Sequence, residues 1–259
     1  MVKKLQAAAD AIFLAPLNMT GISQPLALSQ SQTWLFSEAV RVAGLSIVDE
    51  GWDRNTSTAF AAPAAYGIGI CQHYRRPSLC IEEGNAMKSG NLLALEYTDL
   101  VYSAQIMWVF EGSLNIKDED FIYGSSDLGS KSAFRLQVGE DAYWMEICAR
   151  TQSLLESSGM FPTRVILIGD RAKDRDFLRV LQDCLSNASN LHYQSLDGEY
   201  MEQDHDHQDS SDLVFGHTII DPVSAAARGA AKIVKRAMES PGGCIESREC
   251  YQWRDEDGW

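Results

Sequence analysis

The sequence predicts an α/β fold in which mixed sheets are flanked by helices. Three observations point to it. Across residues 92–127, apolar runs are interrupted by turn residues, the pattern of a three-stranded meander. On both sides of that meander, short apolar strands alternate with longer segments of helical period. The chain has 259 residues, 45% of them hydrophobic, enough for one large domain or two small lobes with a real core.

Taken in order, residues 5–9 read as the last turns of a helix and 11–16 as a buried strand stopped by Pro16. Residues 29–43 place Trp34, Leu35, Ala39 and Val42 at helical spacing, with Ser29 or Ser31 as N-cap and Gly44 as the stop. Residues 45–48 form a short strand, 57–70 an Ala-rich helix, and the polar stretch 73–89 a loop or short irregular helix. In the meander the first run ends in Glu96-Tyr97-Thr98-Asp99, the second spans 101–110, Glu111-Gly112-Ser113 turns the chain, and the third reaches Tyr123. Residues 140–158 space Tyr143, Ile147, Leu154 and Leu155 as an amphipathic helix ended by Gly159. A buried strand at 164–169, a helix at 173–185 with Phe177, Leu178, Leu181 and Leu185 on one face, a strand at 191–196 and a helix at 222–238 complete the reading.

Composition excludes several classes of function. A formal net charge of −14 makes nucleic acid and anionic membranes poor partners, because both need a basic face. No apolar run approaches the roughly 20 residues of a membrane span, and residues 1–10 are too short and polar for a signal-peptide core. A soluble, cytoplasmic protein is expected, with the acidic stretches 197–212 and 254–257 as solvated loop and tail. The six cysteines show no Cys-x-x-Cys, so no zinc site is expected. Cys71 and Cys80 flank a polar loop and would bridge in an oxidising compartment; without an export signal, free thiols are the expectation. Asp204-His205-Asp206-His207 is read as a solvated loop rather than a metal site, His217 as structural and His73 as a surface residue. Gly67-x-Gly69 lacks the third glycine of a dinucleotide fingerprint, and no Gly-x-Ser-x-Gly elbow occurs. No metal and no cofactor is expected.

Several motifs fall in a recognisable order. Leu14-Ala15-Pro16, Val42-Ala43-Gly44-Leu45 and Ala62-Pro63-Ala64-Ala65-Tyr66-Gly67 precede the meander, and Ile168-Gly169, Asp221-Pro222 and Ala227-Arg228-Gly229-Ala230 follow it. This set resembles the ATPase domain of the heat-shock chaperone, actin and sugar-kinase superfamily. The resemblance implies an actin-like ATPase (ribonuclease H-like) fold. Residues 1–90 would be a truncated first half-domain with its connecting loop, lacking the N-terminal phosphate hairpin, 91–240 a complete second half-domain, and 241–259 an acidic tail. The second phosphate turn, Asp-Leu-Gly-Gly-Gly-Thr in the family, reads Glu96-Tyr97-Thr98-Asp99-Leu100-Val101 here. Without glycine a backbone cannot bend its N–H groups close around a triphosphate, so hydrolysis of Mg²⁺-ATP is not expected. The adenosine-side loop, Gly-Gly-Ser in the family, is Gly169-Asp170-Arg171.

Ligands of that fold sit between its halves, which implies a crevice lined by residues 97–99, 125–127 and 169–171. Two functions are open. The first is a cofactor-independent cyclase of [4+2] Diels–Alder type acting on an apolar polyketide or terpenoid. Tyr97, Asp99, Asp170 and Arg171 are its catalytic candidates, and Thr98, Ser125, Ser126, Asp127, Gly169 and Trp108 its substrate-binding candidates, with Trp144 and Met145 as further wall residues. The chain is most similar to divergent fungal members of the superfamily, and norbornene-forming Diels–Alderases of sordarin-type pathways imply this chemistry. The second is a non-catalytic pseudo-ATPase acting as a protein-interaction module. For the loop residues an ordinary turn or capping role is the competing explanation, and for Tyr97, Trp108, Trp144 and Met145 it is a place in the core. The strands missing from the first half would leave a sheet edge that a homodimer would cover.

Overall fold

The computed structural model describes residues 19–20, 30–42, 46–47, 57–115, 122–196, 214–215 and 220–239. The expectations for 5–9, 11–16, 197–212, His217 and the tail lie outside these residues. The chain divides into two compact units, one of Met1–Lys88, Glu111–Ser113 and Ala225–Trp259, the other of Ser89–Phe110 and Leu114–Ser224.

In the first unit, β1 (Met19–Thr20) pairs in parallel with β2 (Ser46–Ile47), and α1 (Gln30–Val42) lies where helical spacing placed it. The next helix, α2 (Thr58–Ala65), starts at Ser57, whose Oγ accepts the Phe60 N–H at 3.2 Å. It stops five residues short of the expected Ile70. Pro63 has no N–H to give the preceding turn, and Gly67 and Gly69 then take φ values of +81° and +73° that end a right-handed helix. The stretch read as loop or irregular helix contains α3 (Pro77–Ala86), with Pro77 at its first position. The last helix, α7 (Pro222–Glu239), carries Gly229 against α2: a Cβ there would lie 1.7 Å from the Ala61 carbonyl oxygen. That close approach explains a glycine inside a helix where alanine propensity would otherwise be favoured.

The second unit is built on a mixed sheet. Its strands are β3 (Gly90–Tyr97), β4 (Tyr102–Phe110), β5 (Ser113–Asn115), β6 (Ile122–Ser125), β7 (Arg164–Ile168) and β8 (Val214–Phe215). The order is β5-β4-β3-β7-β8, with β6 also on β4. β3 runs antiparallel to β4 and parallel to β7, which is parallel to β8. The predicted meander is therefore present, its third run occupied by β5 and β6 on either side of 116–121. Leu93, Leu95 and Tyr97 of β3, with Tyr102, Ala104 and Ile106 of β4, form a core with Tyr143, Ile147 and Leu154 of α5 (Glu140–Ser158) and Phe177, Leu181 and Leu185 of α6 (Arg175–Leu196). Each Leu, Ile and Phe among them contributes about 1.5–3 kcal/mol by leaving water.

α5 has the predicted bounds, closed by Gly159 at φ +61°. The strand expected at 191–196 is instead the end of α6. No Gly or Pro occurs between residues 173 and 196, so nothing stops the helix once started. Unanticipated is α4 (Ala133–Val138), capped by Ser132, whose Oγ accepts the Arg135 N–H at 3.3 Å. Cys71 is bonded to Cys80 and Cys148 to Cys184, with Cα separations of 5.2 and 5.6 Å, which corrects the expectation of free thiols. The α5–α6 packing brings the second pair together across 36 residues of sequence. Among the described residues no helix is long and apolar enough to cross a membrane.

Candidate functional site

Strand register decides which loops meet. Parallel pairing sets Glu96 of β3 beside Ile168 of β7, so both strands end at the same edge. β4 returns with Tyr102 opposite Tyr97, and β6 sets Ser125 opposite Tyr102. The segments 97–101, 125–132 and 169–171 therefore converge. Sequence reading grouped 97–99, 125–127 and 169–171, and the structure puts all three at this edge.

The loops are laced by their backbones. Ser130 N–H donates to the Thr98 carbonyl at 2.9 Å, Lys131 N–H to Asp99 at 3.0 Å and Arg171 N–H to Tyr97 at 3.1 Å. Within the turn, Thr98 N–H donates to the Val101 carbonyl at 2.9 Å. Thr98 Oγ1 accepts the N–H groups of Leu100 at 3.2 Å and Val101 at 3.0 Å. Gly169, at φ +106°, is required by crowding as well as by conformation: a Cβ would lie 2.3 Å from the Tyr97 carbonyl oxygen.

Asp99 is the hub of the side chains. Its Oδ1 accepts from Arg171 Nε at 2.6 Å and from Ser130 Oγ at 2.8 Å, and its Oδ2 pairs with Lys131 Nζ. Arg171 first, then Lys131 and Ser130, hold the Asp99 carboxyl well below the usual carboxylate range, while Asp99 raises the Arg171 guanidinium. At neutral pH this carboxylate is an ion-pair partner with little capacity to take a proton.

Tyr97 points the other way, fully buried in the core. Its ring stacks on Phe177 at 4.4 Å and meets the edge of Trp144 at 6.0 Å. Its hydroxyl lies 3.1 Å from that of Tyr143, which donates to the Leu128 carbonyl at 2.8 Å. Arg135 Nη1 donates to Tyr97 at 3.5 Å. Since Tyr143 uses its proton on Leu128, Tyr97 donates to Tyr143 and accepts from Arg135. Burial raises both phenols above their ordinary value. Glu140 fixes Arg135 through two bonds of 2.9 and 2.7 Å, and the guanidinium lies 5.0 Å from the rings of both Tyr143 and Trp144.

The remaining candidates divide. Ser125 Oγ caps the Asp127 N–H at 3.1 Å, the turn role anticipated as its alternative. Ser126, Asp127 and Asp170 are exposed. Trp108 lies at the far end of the strands, opposite Asn91, and stacks on Phe110 at 4.9 Å. Met145 is 72% exposed, whereas Trp144 belongs to the core. Sequence reading stopped at Asp127 and so missed Ser130, Lys131 and Arg135. No local signal marks them, because a cation among small polar residues, as in Gly129-Ser130-Lys131-Ser132, is ordinarily a solvated side chain. Among the described residues no group of three His, Cys, Asp or Glu side chains is placed to hold a metal ion. His73 lies in the first unit with Nδ1 2.5 Å from Glu83 Oε1.

A scan of protein-family profiles matches no family to this chain, and a search of curated proteins finds no match.

Proposed function

We propose that this chain is a nucleotide-independent pseudo-ATPase of the actin-like, ribonuclease H-like fold, a chaperone-related module that presents a fixed surface to a protein partner. The observation that carries the reading is the turn at Thr98–Val101. A phosphate cradle needs backbone N–H groups directed outward at the anion. Here the N–H groups of Thr98, Leu100 and Val101 all donate inward, to the Val101 carbonyl and to Thr98 Oγ1. Asp99, paired with Arg171 and Lys131, adds a negative charge where a triphosphate would bring several more.

A second reading, a cofactor-free cyclase acting on an apolar polyketide or terpenoid of a fungal pathway, draws on the phenol relay. For that chemistry the buried Tyr97, whose proton Tyr143 accepts, would have to be uncovered and released so that it could polarise a carbonyl beside Arg135, Trp144 and Phe177.

One titration series separates the two. The full chain is titrated calorimetrically with Mg²⁺-ATP and with a panel of apolar polyketide and terpenoid aldehydes. The module reading expects neither to bind, and expects a protein partner, captured from the source cell, to bind equally with and without Mg²⁺-ATP. Saturable binding of an aldehyde with conversion to a cyclised product establishes the cyclase instead. Micromolar binding of Mg²⁺-ATP overturns the module reading.

A further inference from the structure

The first unit contains a second, unrelated polar arrangement around Arg236 on α7. The residue is 4% exposed, yet its Nε and Nη1 have no hydrogen-bond partner among the described residues. Buried guanidinium donors are ordinarily all paired, because desolvating a charge without a partner costs several kcal/mol. Among the described residues its hydrogen bond is a long one, from Nη2 to Gln72 Oε1 at 3.3 Å. The Tyr74 ring lies 5.5 Å from the guanidinium carbon.

Neighbouring carboxylates are already engaged. Glu239 accepts from the Tyr74 hydroxyl at 2.6 Å and from Arg75 Nη2 at 2.5 Å. Glu83 Oε2 accepts the N–H groups of Gln72 at 2.7 Å and His73 at 3.2 Å, and its Oε1 holds the His73 ring. One turn back, Lys232 Nζ donates to the Ala65 carbonyl at 2.6 Å and adds a second cation. Burial lowers the pKa of both Lys232 and Arg236, and for Arg236 the nearby Tyr74 and Glu83 offset it only in part.

Gln72 also lines a cavity of about 300 Å³ whose other walls include Ile70, Cys71, Met87 and the engaged Glu83. That volume is at the lower end of the range for small-molecule sites. Gln72 is exposed, and its side chain links the cavity wall to the guanidinium through the long bond to Nη2.

We propose that Arg236 anchors a binding site for a small carboxylate whose apolar body occupies the cavity bounded by Ile70, Cys71 and Met87, the carboxylate displacing the Gln72 amide to pair with Nε and a terminal nitrogen. Bidentate pairing of this kind is the strong mode of arginine recognition. The residues of this site belong to the first unit, and Asp99 to the second.

The test uses the full chain and, as probes, hexanoate, benzoate and cyclohexanecarboxylate beside their primary amides, followed by calorimetry and thermal shift. At least one carboxylate is expected to bind saturably, with its amide at least about 10-fold weaker, the loss of one charge-assisted interaction. Arg236→Gln abolishes the preference for carboxylate over amide. Since that variant removes a buried group and risks unfolding, Gln72→Glu provides a second arm on the surface. It supplies an internal carboxylate, and is expected to raise the melting temperature and weaken carboxylate binding about 10-fold or more, while Gln72→Ala leaves binding intact. Equal binding of acid and amide, no saturable binding by any probe, or unchanged binding in a folded Gln72→Glu variant overturns the proposal.

Discussion

Replacing Gly169 by alanine tests whether the three loops close on one another as tightly as their hydrogen bonds imply. Two effects add. At φ +106° an L side chain is strained by about 1–2 kcal/mol. The new Cβ would also lie 2.3 Å from the Tyr97 carbonyl oxygen and 2.9 Å from its carbon, both backbone atoms that cannot swing aside. Relief requires moving that carbonyl away from the Arg171 N–H it accepts at 3.1 Å, at about 1 kcal/mol or more for the bond. The expected loss is about 2–4 kcal/mol. Gly139→Ala is the internal control. Its φ is +82° but nothing lies within 4 Å of the added Cβ, so it reports the backbone strain alone, about 1–3 kcal/mol. Urea denaturation of both variants, followed by tryptophan fluorescence, gives the difference directly. If Gly169→Ala costs no more than Gly139→Ala, the loops are not packed as described and the closed-turn reasoning fails.

Other expectations follow from the same interactions. Tyr102 and Thr151 share a buried 2.6 Å hydrogen bond, and Thr151 Oγ1 also bonds the Ile147 carbonyl at 2.8 Å. Thr151→Val, which strands the Tyr102 hydroxyl, should therefore cost about 1–3 kcal/mol and more than Tyr102→Phe, at about 1 kcal/mol, in parallel urea melts. Because the folded pKa of Asp99 is depressed, its contribution is fully present above the unfolded value of about 3.9 and is lost as pH falls toward the folded value. Asp99→Asn should thus be less stable than the wild type at neutral pH, with the gap closing below about pH 4 in stability–pH curves. Leu181→Ala, truncating a side chain that is 2% exposed, should cost about 2–5 kcal/mol by the same denaturation assay. Cys71, Cys80, Cys148 and Cys184 should resist alkylation in the denatured chain until a reductant is added, as read by mass spectrometry; immediate alkylation would restore the free-thiol expectation.

The elements most legible in the sequence were those whose ends carry their own signals. α5 was bounded by Gly139 and Gly159, and β4 by the turn residues before Tyr102 and after Phe110. Where a boundary depended on something distant, the reading failed. The stretch 191–196 reads locally as a short strand, yet α6 continues through it because no breaker occurs after Lys173. The grouping of 97–99, 125–127 and 169–171 rested on the fold resemblance, and it is the register of β3, β6 and β7 that brings these segments to one edge. The direction of each side chain was not readable. Tyr97 and Asp99 are two residues apart, yet the first enters the core and the second joins Arg171, because the strand ends at Tyr97 and the turn begins at Thr98. Pairings such as Asp99 with Lys131, or Tyr97 with Tyr143, span 32 and 46 residues and leave no local trace.

Calorimetric titration of the full chain with Mg²⁺-ATP addresses the central claim, that the amides of Thr98, Leu100 and Val101 are spent within their own turn. The account predicts no saturable heat at any nucleotide concentration tested. Micromolar binding, weakened when Asp99 or Arg171 is replaced, would show that these loops open to a triphosphate and would contradict it.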